Sequence, residues 1–448
     1  AAEQLLLSGY LDDGFEVTRQ VMRSLGVRLP RTSFGALVSL LWRRLWIRLR
    51  GTGFWERDET ELSPVRLVKV DILSSIARGL ALTDHIRGAD FNARFLLAAL
   101  RLGEPRRILS ALTMEANFAA TSGPESAHIR RTLAACERIQ QRLNDALAEI
   151  YIESARSYVS FMVGHWGASL RSAETSFRLW SDHGGTSWER CMMNIQIHWS
   201  MFYLGELAEM TRRMPALLQD ARDRGDLLSV SGMVLGLNNV MILNHDGPEH
   251  ALREVDELMA RWSVQGYHLQ HYMALLARVH VLLYTGDGAG ACAALRADWR
   301  PLKRSLLLKL PSVYHEVHHL RGRAFLLHAA KVSGAAQAEL HGQASRELDL
   351  LGASRLPWVR AVGTLMSAAL ASQQGLEEQA VERLRAAVDQ LETGEMRLYA
   401  AAARVRLGAL LGGDEGTRHL AAGRDFMALQ GVRDQAGMTS MLAPGFRD

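Results

Sequence analysis

The stretch "YHEVHHLRGRAFLLHAA" carries His315, Glu316 and His319 in an H-E-x-x-H arrangement. On a helix the two imidazoles stand one turn apart on a single face. There they can chelate zinc, while the glutamate can act as general base on a zinc-bound water. Glu339 follows at a spacing used for the third ligand of thermolysin-like enzymes. Together these residues define a zinc-dependent metallohydrolase as the enzymatic alternative. Four features oppose it. Phe325 stands where the metzincin pattern has its third histidine, and "LHGQASREL" after Glu339 lacks the accompanying Asp four positions on. No β-sheet edge is on offer to align a peptide, and with 16 histidines in the chain a chance match is unsurprising.

Two further groups have the look of chemistry. "LLYTGDGAGACAAL" holds Gly286, Gly288 and Gly290 at alternate positions, as a phosphate-cradling loop would, but such loops follow a β-strand. Here the preceding apolar residues, Leu269, Tyr272, Leu275, Leu276, Val279, Leu282 and Leu283, recur at spacings of three and four, which is helical. Helix, glycine turn, helix is the expected order. "WSVQGYHLQHYM" places His268, Gln270, His271 and Tyr272 at a helix start. They read either as a polar binding pocket on the inner face of a superhelix or as side chains that satisfy one another. No serine or cysteine nucleophile lies near a base, and no cofactor is implied.

The elements that position these groups are helices. Ala, Leu and Arg dominate, only 10 prolines are present among 448 residues, and runs of β-branched residues are absent. A chain of this length exceeds a single core, so it forms several domains or a repeat array. Glycine turns flanked by apolar helices recur at Gly9, Gly164, Gly205, Gly247, Gly286, Gly375 and Gly412, with a degenerate copy at Gly334. From Gly164 onward their period is about forty residues, the mark of a helical-hairpin solenoid. A small residue follows several turns, such as Ala251, Ala291 and Ala380, and lets the two helices pack closely. The expected fold is all-α: a right-handed α-α superhelix, a tetratricopeptide-like solenoid of about ten helical hairpins.

Four regions are expected. Residues 1–29 form a first, truncated hairpin; 30–145 form a less regular helical region; 146–394 form the repeat array; 395–448 form a terminal hairpin and cap. The opening "AAEQLLLSGYLDDG" starts partway along a helix, as in a piece of a longer polypeptide. Within the second region, "FGALVSLLWRRLWIRLRGTGFWERDE" sets leucines on one side, with Arg43, Arg44, Arg48 and Arg50 among tryptophans. Such a helix could lie on an anionic membrane, a partner or nucleic acid. The plainer expectation is a connecting helix whose tryptophans pack inward and whose arginines are solvated. A formal charge of +4 spread over the whole chain makes no strong field, so nucleic acid is not expected from composition. The three cysteines lie far apart, which suggests neither disulfides nor a zinc site and fits the reduced cytoplasm. No run reaches the length of a membrane span.

Longer phrases carry a resemblance. "HIRGADFNARFLLAALRLGEP", "WSMFYLGELAEMTRRMPALL", "ARWSVQGYHLQHYMALLARVHVLLYTGDG", "RLYAAAARVRLGALLGGDEG" and the ending "MLAPGF", among others along nearly the full length, resemble one family. It is the C-terminal tetratricopeptide-like region of large bacterial proteins that join a serine/threonine kinase domain to a STAND-type ATPase domain. The resemblance implies a non-catalytic sensor or scaffold tail. Its partners would be a protein or the parent's own kinase and ATPase domains, with a small ligand possible in the concave groove. It carries over no site residues. The chain itself contains neither a kinase signature nor G-x-x-x-x-G-K-[ST].

Overall fold

The computed structural model describes residues 33–81, 84–121, 126–183, 187–264 and 266–446, with isolated positions before residue 33. The hairpin expected over residues 1–29, with its turn at Gly9, lies outside the described residues but for those positions. Among the described residues every regular element is helical, and helices adjacent in sequence pack against each other. The fold is an all-α helical-repeat superhelix.

Helix α1 (Ser33–Arg50) precedes the hairpins. These pair α2 (Pro64–Ala81) with α3 (His85–Leu102), α4 (Pro105–Ala120) with α5 (Ala127–Leu143), and α6 (Ala146–Val163) with α7 (Trp166–Asp182). Next come α8 (Ser187–Leu204) with α9 (Leu207–Asp223), then a broken helix, α10 (Leu227–Val234) and α11 (Asn239–Asp246), followed by α12 (Pro248–Arg261). Then α13 (Leu269–Tyr284) pairs with α14 (Gly288–Arg304), α15 (Pro311–Ala329) with α16 (Gly334–Gly352), and α17 (Pro357–Gln373) with α18 (Glu377–Thr393). Helices α19 (Arg397–Leu411) and α20 (Gly413–Leu429) form the last hairpin, and α21 (Gln435–Leu442) is a short cap. The break between α10 and α11 is sealed by side chains. Asn238 Nδ2 donates to Gly232 O at 2.7 Å and Asn239 Nδ2 to Val234 O at 3.1 Å, satisfying carbonyls that the helix no longer uses.

The glycine turns behave as their sequence implies. Gly164, Gly205, Gly247, Gly286, Gly334, Gly375 and Gly412 all have positive φ, the conformation that favours glycine. Ala251, Ala291 and Ala380 have no exposed surface, as close helix approach requires. At the Gly286 turn, Asp287 caps α14 by accepting from Gly290 N at 2.8 Å. Gly288 does more than begin a helix: a Cβ there would stand 2.4 Å from His328 N, so α14 and α15 approach backbone to backbone.

In the hairpins from α13 onward the first helix faces the interior, and this explains its apolar run. α13 buries Tyr272, Leu276, Val279 and Leu283 together with residues on its other sides, whereas α14 buries one stripe that includes Ala291 and Leu295. The inner helices are covered on both sides because the superhelix returns on itself. Glu395 accepts from Gly167 N at 3.3 Å, Arg433 N donates to Asn244 Oδ1 at 3.1 Å, and Ser440 Oγ donates to Leu283 O at 2.8 Å. The C-terminal hairpins thus seat on the turns of hairpins some two hundred residues earlier.

Helix α1 reverses its expected polarity. Trp42 is 67% exposed and Leu49 73%, while Arg43 and Arg44 turn inward. Arg43 lies 3.1 Å from Asp90, and Arg44 pairs with Glu115, both carboxylates being fully buried. Asp90 also receives Ser39 Oγ at 2.7 Å, and Glu115 receives Asn92 Nδ2 at 3.2 Å. A buried carboxylate without a partner is far costlier than an exposed tryptophan, so the ion pairs decide which face of α1 turns in.

Two glycine turns separate conformational strain from crowding. Gly375 has φ +76° and open space around it, so Gly375→Ala is expected to cost about 1–2 kcal/mol from the backbone alone. Gly205 has φ +80° and its Cβ would meet Leu398 N at 2.9 Å, adding about 1–3 kcal/mol of overpacking. Chemical denaturation of both variants checks this: Gly205→Ala is the more damaging, and equal losses would contradict the back-packing of α19 on that turn.

Candidate functional site

The H-E-x-x-H residues lie on α15, an inner helix, and the fold uses them to compensate charge. Glu316 is buried; its Oε2 accepts from Tyr203 OH at 3.3 Å and its Oε1 lies 3.5 Å from Arg323 Nη2. Arg323 has no exposure; its Nη1 donates to Met441 O at 3.0 Å, its Nη2 also reaches His280 Nε2 at 3.2 Å, and its buried Nε has no partner within the protein. His319 Nδ1 stands 3.8 Å from Glu316. Burial lowers the His280 imidazole to about 3 and, with the positive Arg323 close by, the His319 imidazole to about 4. Burial would raise the Glu316 carboxyl, but His319 and Arg323 outweigh it and hold it down at about 2. At neutral pH one guanidinium therefore faces one carboxylate between two neutral imidazoles.

The other members of the zinc reading are not gathered there. His315 is only partly buried, with its ring 6.2 Å from that of Trp358. Glu339 is exposed on α16, where it accepts from Gln343 at 3.1 Å. Between them His318 pairs with Glu347, which also holds Arg321 at 3.0 Å. Among the described residues no group of three ligating side chains could hold a metal. Consecutive residues on an inner helix point to different neighbours, so the spacing alone did not make a site.

The second histidine group divides in two. His268 caps α13, and its own backbone N–H donates to His271 Nδ1 at 3.0 Å, a reciprocal cap at the helix start. Tyr267 stacks on His271 and donates to Asp298 at 3.0 Å. Gln270 and Tyr272, buried on the opposite side, line a cavity instead.

That cavity, about 310 Å³, lies along the inner helices, with walls running from Arg78 on α2 to Trp358 on α17. Its densest wall is aromatic. Trp166 stacks on Tyr203 with ring centres 4.0 Å apart, Phe161 meets Trp166 edge-on at 5.0 Å, and Trp358 closes against Trp166 at 6.0 Å. Met162, Met193 and Met273 line it as well. Neither Trp166 nor Trp358 is marked by a motif; the available signal was only that large aromatics begin α7 and α17 beside a turn. Gly164 explains their approach: its missing Cβ would lie 2.6 Å from Trp358 Cδ1.

The basic face of α1 is half consumed by ion pairs, leaving Arg48 and Arg50 exposed. No single described helix is long and apolar enough to cross a membrane. Comparison with protein-family models, with curated proteins and with solved structures finds no match to this chain.

Two measurements follow. Purified protein is expected to carry no stoichiometric zinc, and His315→Ala to leave metal content unchanged; one zinc per chain lost in that variant would restore the hydrolase reading. Stability should also fall on acidification. The folded pKa values of His280 and His319 lie below their ordinary value of 6.5, so their contribution is full above pH 6.5 and is lost as pH falls toward 4 and 3. Each adds a slope of up to about 1.4 kcal/mol per pH unit, and Glu316 extends the loss below 4.5. Urea unfolding at pH 7, 6 and 5 tests this. His319→Asn should flatten the slope by about one proton, and an unchanged slope would contradict the assignment.

Proposed function

We propose that this chain is a non-catalytic, tetratricopeptide-like scaffold and sensor region that mediates protein–protein interaction and regulates kinase and ATPase domains attached to it in a larger signalling protein of the bacterial cytoplasm. The observation that carries the reading is the exposed face of α1. Val38, Leu41, Trp42, Leu45 and Leu49 recur one helical turn apart and stand in solvent, on a helix tied to the body by part-buried ion pairs to two buried carboxylates. An apolar stripe held so firmly in place is a docking surface in soluble repeat proteins far more often than a tolerated defect. The kinase and ATPase context rests on the sequence resemblance. Regulation would act through the superhelix: a partner shifts its equilibrium between conformations by its differential affinity for them.

The test uses the parent's kinase and ATPase domains, each expressed separately and titrated against this chain. At least one should bind, and Leu41→Ser with Trp42→Ser and Leu49→Ser should weaken binding at least tenfold while leaving the melting temperature within a few degrees. Binding by neither domain, or binding indifferent to the α1 changes, would overturn the reading.

A further inference from the structure

We infer that the exposed stripe of α1 receives an amphipathic helix of a partner protein, apolar along its centre and acidic along its flanks. The inference rests on the docking role proposed for α1 and names the chemistry of what docks there.

α1 is apolar on two opposite faces. At about 3.6 residues per turn, Ala36, Leu40 and Ile47 share the side that packs on the body, where Ala36 and Ile47 are buried and Leu40 meets the core. Val38, Leu41, Trp42, Leu45, Trp46 and Leu49 share the other side, and all are exposed. A surface helix with a single neighbour needs a single apolar face, so the outer one calls for a second neighbour. Its residues advance by three and by one in alternation, the pattern with which one helix lies along another. At about 1.5 Å per residue the stripe runs about 17 Å from Val38 to Leu49, a length that about three turns of partner helix cover.

Charge selects the partner. α1 contains four arginines and no acidic residue. Arg43 and Arg44 are spent on Asp90 and Glu115. Arg48 and Arg50 fall on the two flanks of the stripe and are exposed. Among the described residues neither makes an ion pair, Arg50 reaching only the adjacent Gly51 carbonyl at 3.1 Å. An incoming helix with carboxylates beside its apolar stripe is therefore drawn in, and one with lysines there is repelled. A second copy of α1 would bring arginines and no carboxylate, offering these flanks nothing to pair with. An anionic bilayer is recognised by clusters of about four to eight basic residues. α1 keeps only two on its outer side, and the loop after it adds the exposed acids Asp58 and Glu61.

The probe is a fluorescent designed helix of about four turns, with a leucine stripe and glutamates on both flanks; its control carries lysine at each glutamate. The glutamate peptide should saturate at one per chain in fluorescence anisotropy and bind at least tenfold tighter than the lysine peptide. Leu41→Ser with Trp42→Ser and Leu49→Ser should abolish its binding. Arg48→Glu with Arg50→Glu should invert the preference between the peptides, and if that variant does not fold, Arg48→Gln with Arg50→Gln should bring the two within threefold. No saturable binding, binding indifferent to the triple serine change, or a preference that the arginine variants leave unchanged would each overturn the proposal. Self-association lost in the triple serine variant would assign the stripe to a second copy, and retention on phosphatidylglycerol vesicles lost in that variant would assign it to a membrane; either result overturns the acidic helix. The parent's kinase and ATPase domains separate this proposal from the docking role on which it rests. A domain that binds through Leu41, Trp42 and Leu49 but ignores both arginine variants leaves the docking role standing and overturns the acidic helix. If neither domain binds while the glutamate peptide binds with an invertible preference, the regulatory reading falls and the acidic-helix site stands.

Discussion

The Arg323 guanidinium is wholly removed from solvent, and the three groups it meets belong to three distant parts of the chain: Glu316 on its own helix, His280 on α13 and the Met441 carbonyl of the terminal cap. A buried cation of this kind tolerates little displacement. Its desolvation is offset only while carboxylate, imidazole and carbonyl stay in reach, and removing one partner of such a pair typically costs about 3–5 kcal/mol. The cap is therefore bound to the middle of the superhelix by a directional, electrostatic requirement, whereas burial of Met438, Leu442 and Phe446 alone would specify it less sharply.

Closure follows from that anchor and from the turns. An open hairpin solenoid leaves its inner helices facing solvent, and their sequences would then alternate polar and apolar faces. Here α13 and α17 are apolar nearly all round, and Gly164 and Gly205 leave room for Trp358 and Leu398 to come to the very backbone of earlier turns. The glycines thus meet two demands with one residue: a left-handed turn and the absence of a side chain in a crowded seam. Gly375 and Gly412 meet only the first, having open space about them.

This division explains what could be read from the sequence. The period of the hairpins was legible because each turn repeats the same local chemistry, a positive φ followed by close helix contact, and local chemistry is written in consecutive residues. The return of the C-terminal hairpins was not, since it pairs residues such as Gly167 with Glu395, whose relation leaves no local trace. The orientation of α1 was misjudged for a related reason. Hydrophobicity placed its tryptophans inside, but the deciding partners, Asp90 and Glu115, lie on other helices and look like any other acids in sequence. Where apolar burial and a buried carboxylate compete for the same helix, the carboxylate sets the rotation.

The same logic separates motif from site. His315, Glu316 and His319 have the spacing of a chelating pair with its base, yet on an inner helix of a closed superhelix each successive residue meets a different neighbour: Trp358, then Tyr203 and Arg323, then Tyr399. Helical spacing brings two side chains to one face; it does not choose what occupies the space in front of them. Of the four residues in the other histidine group, Gln270 and Tyr272 line the cavity because α13 turns that face inward, while His271 accepts from the backbone N–H of His268 at the helix start. The chemistry open to this molecule is therefore set by the lumen that closure creates, where aromatic walls from separate hairpins converge on the same seam that holds the fold together.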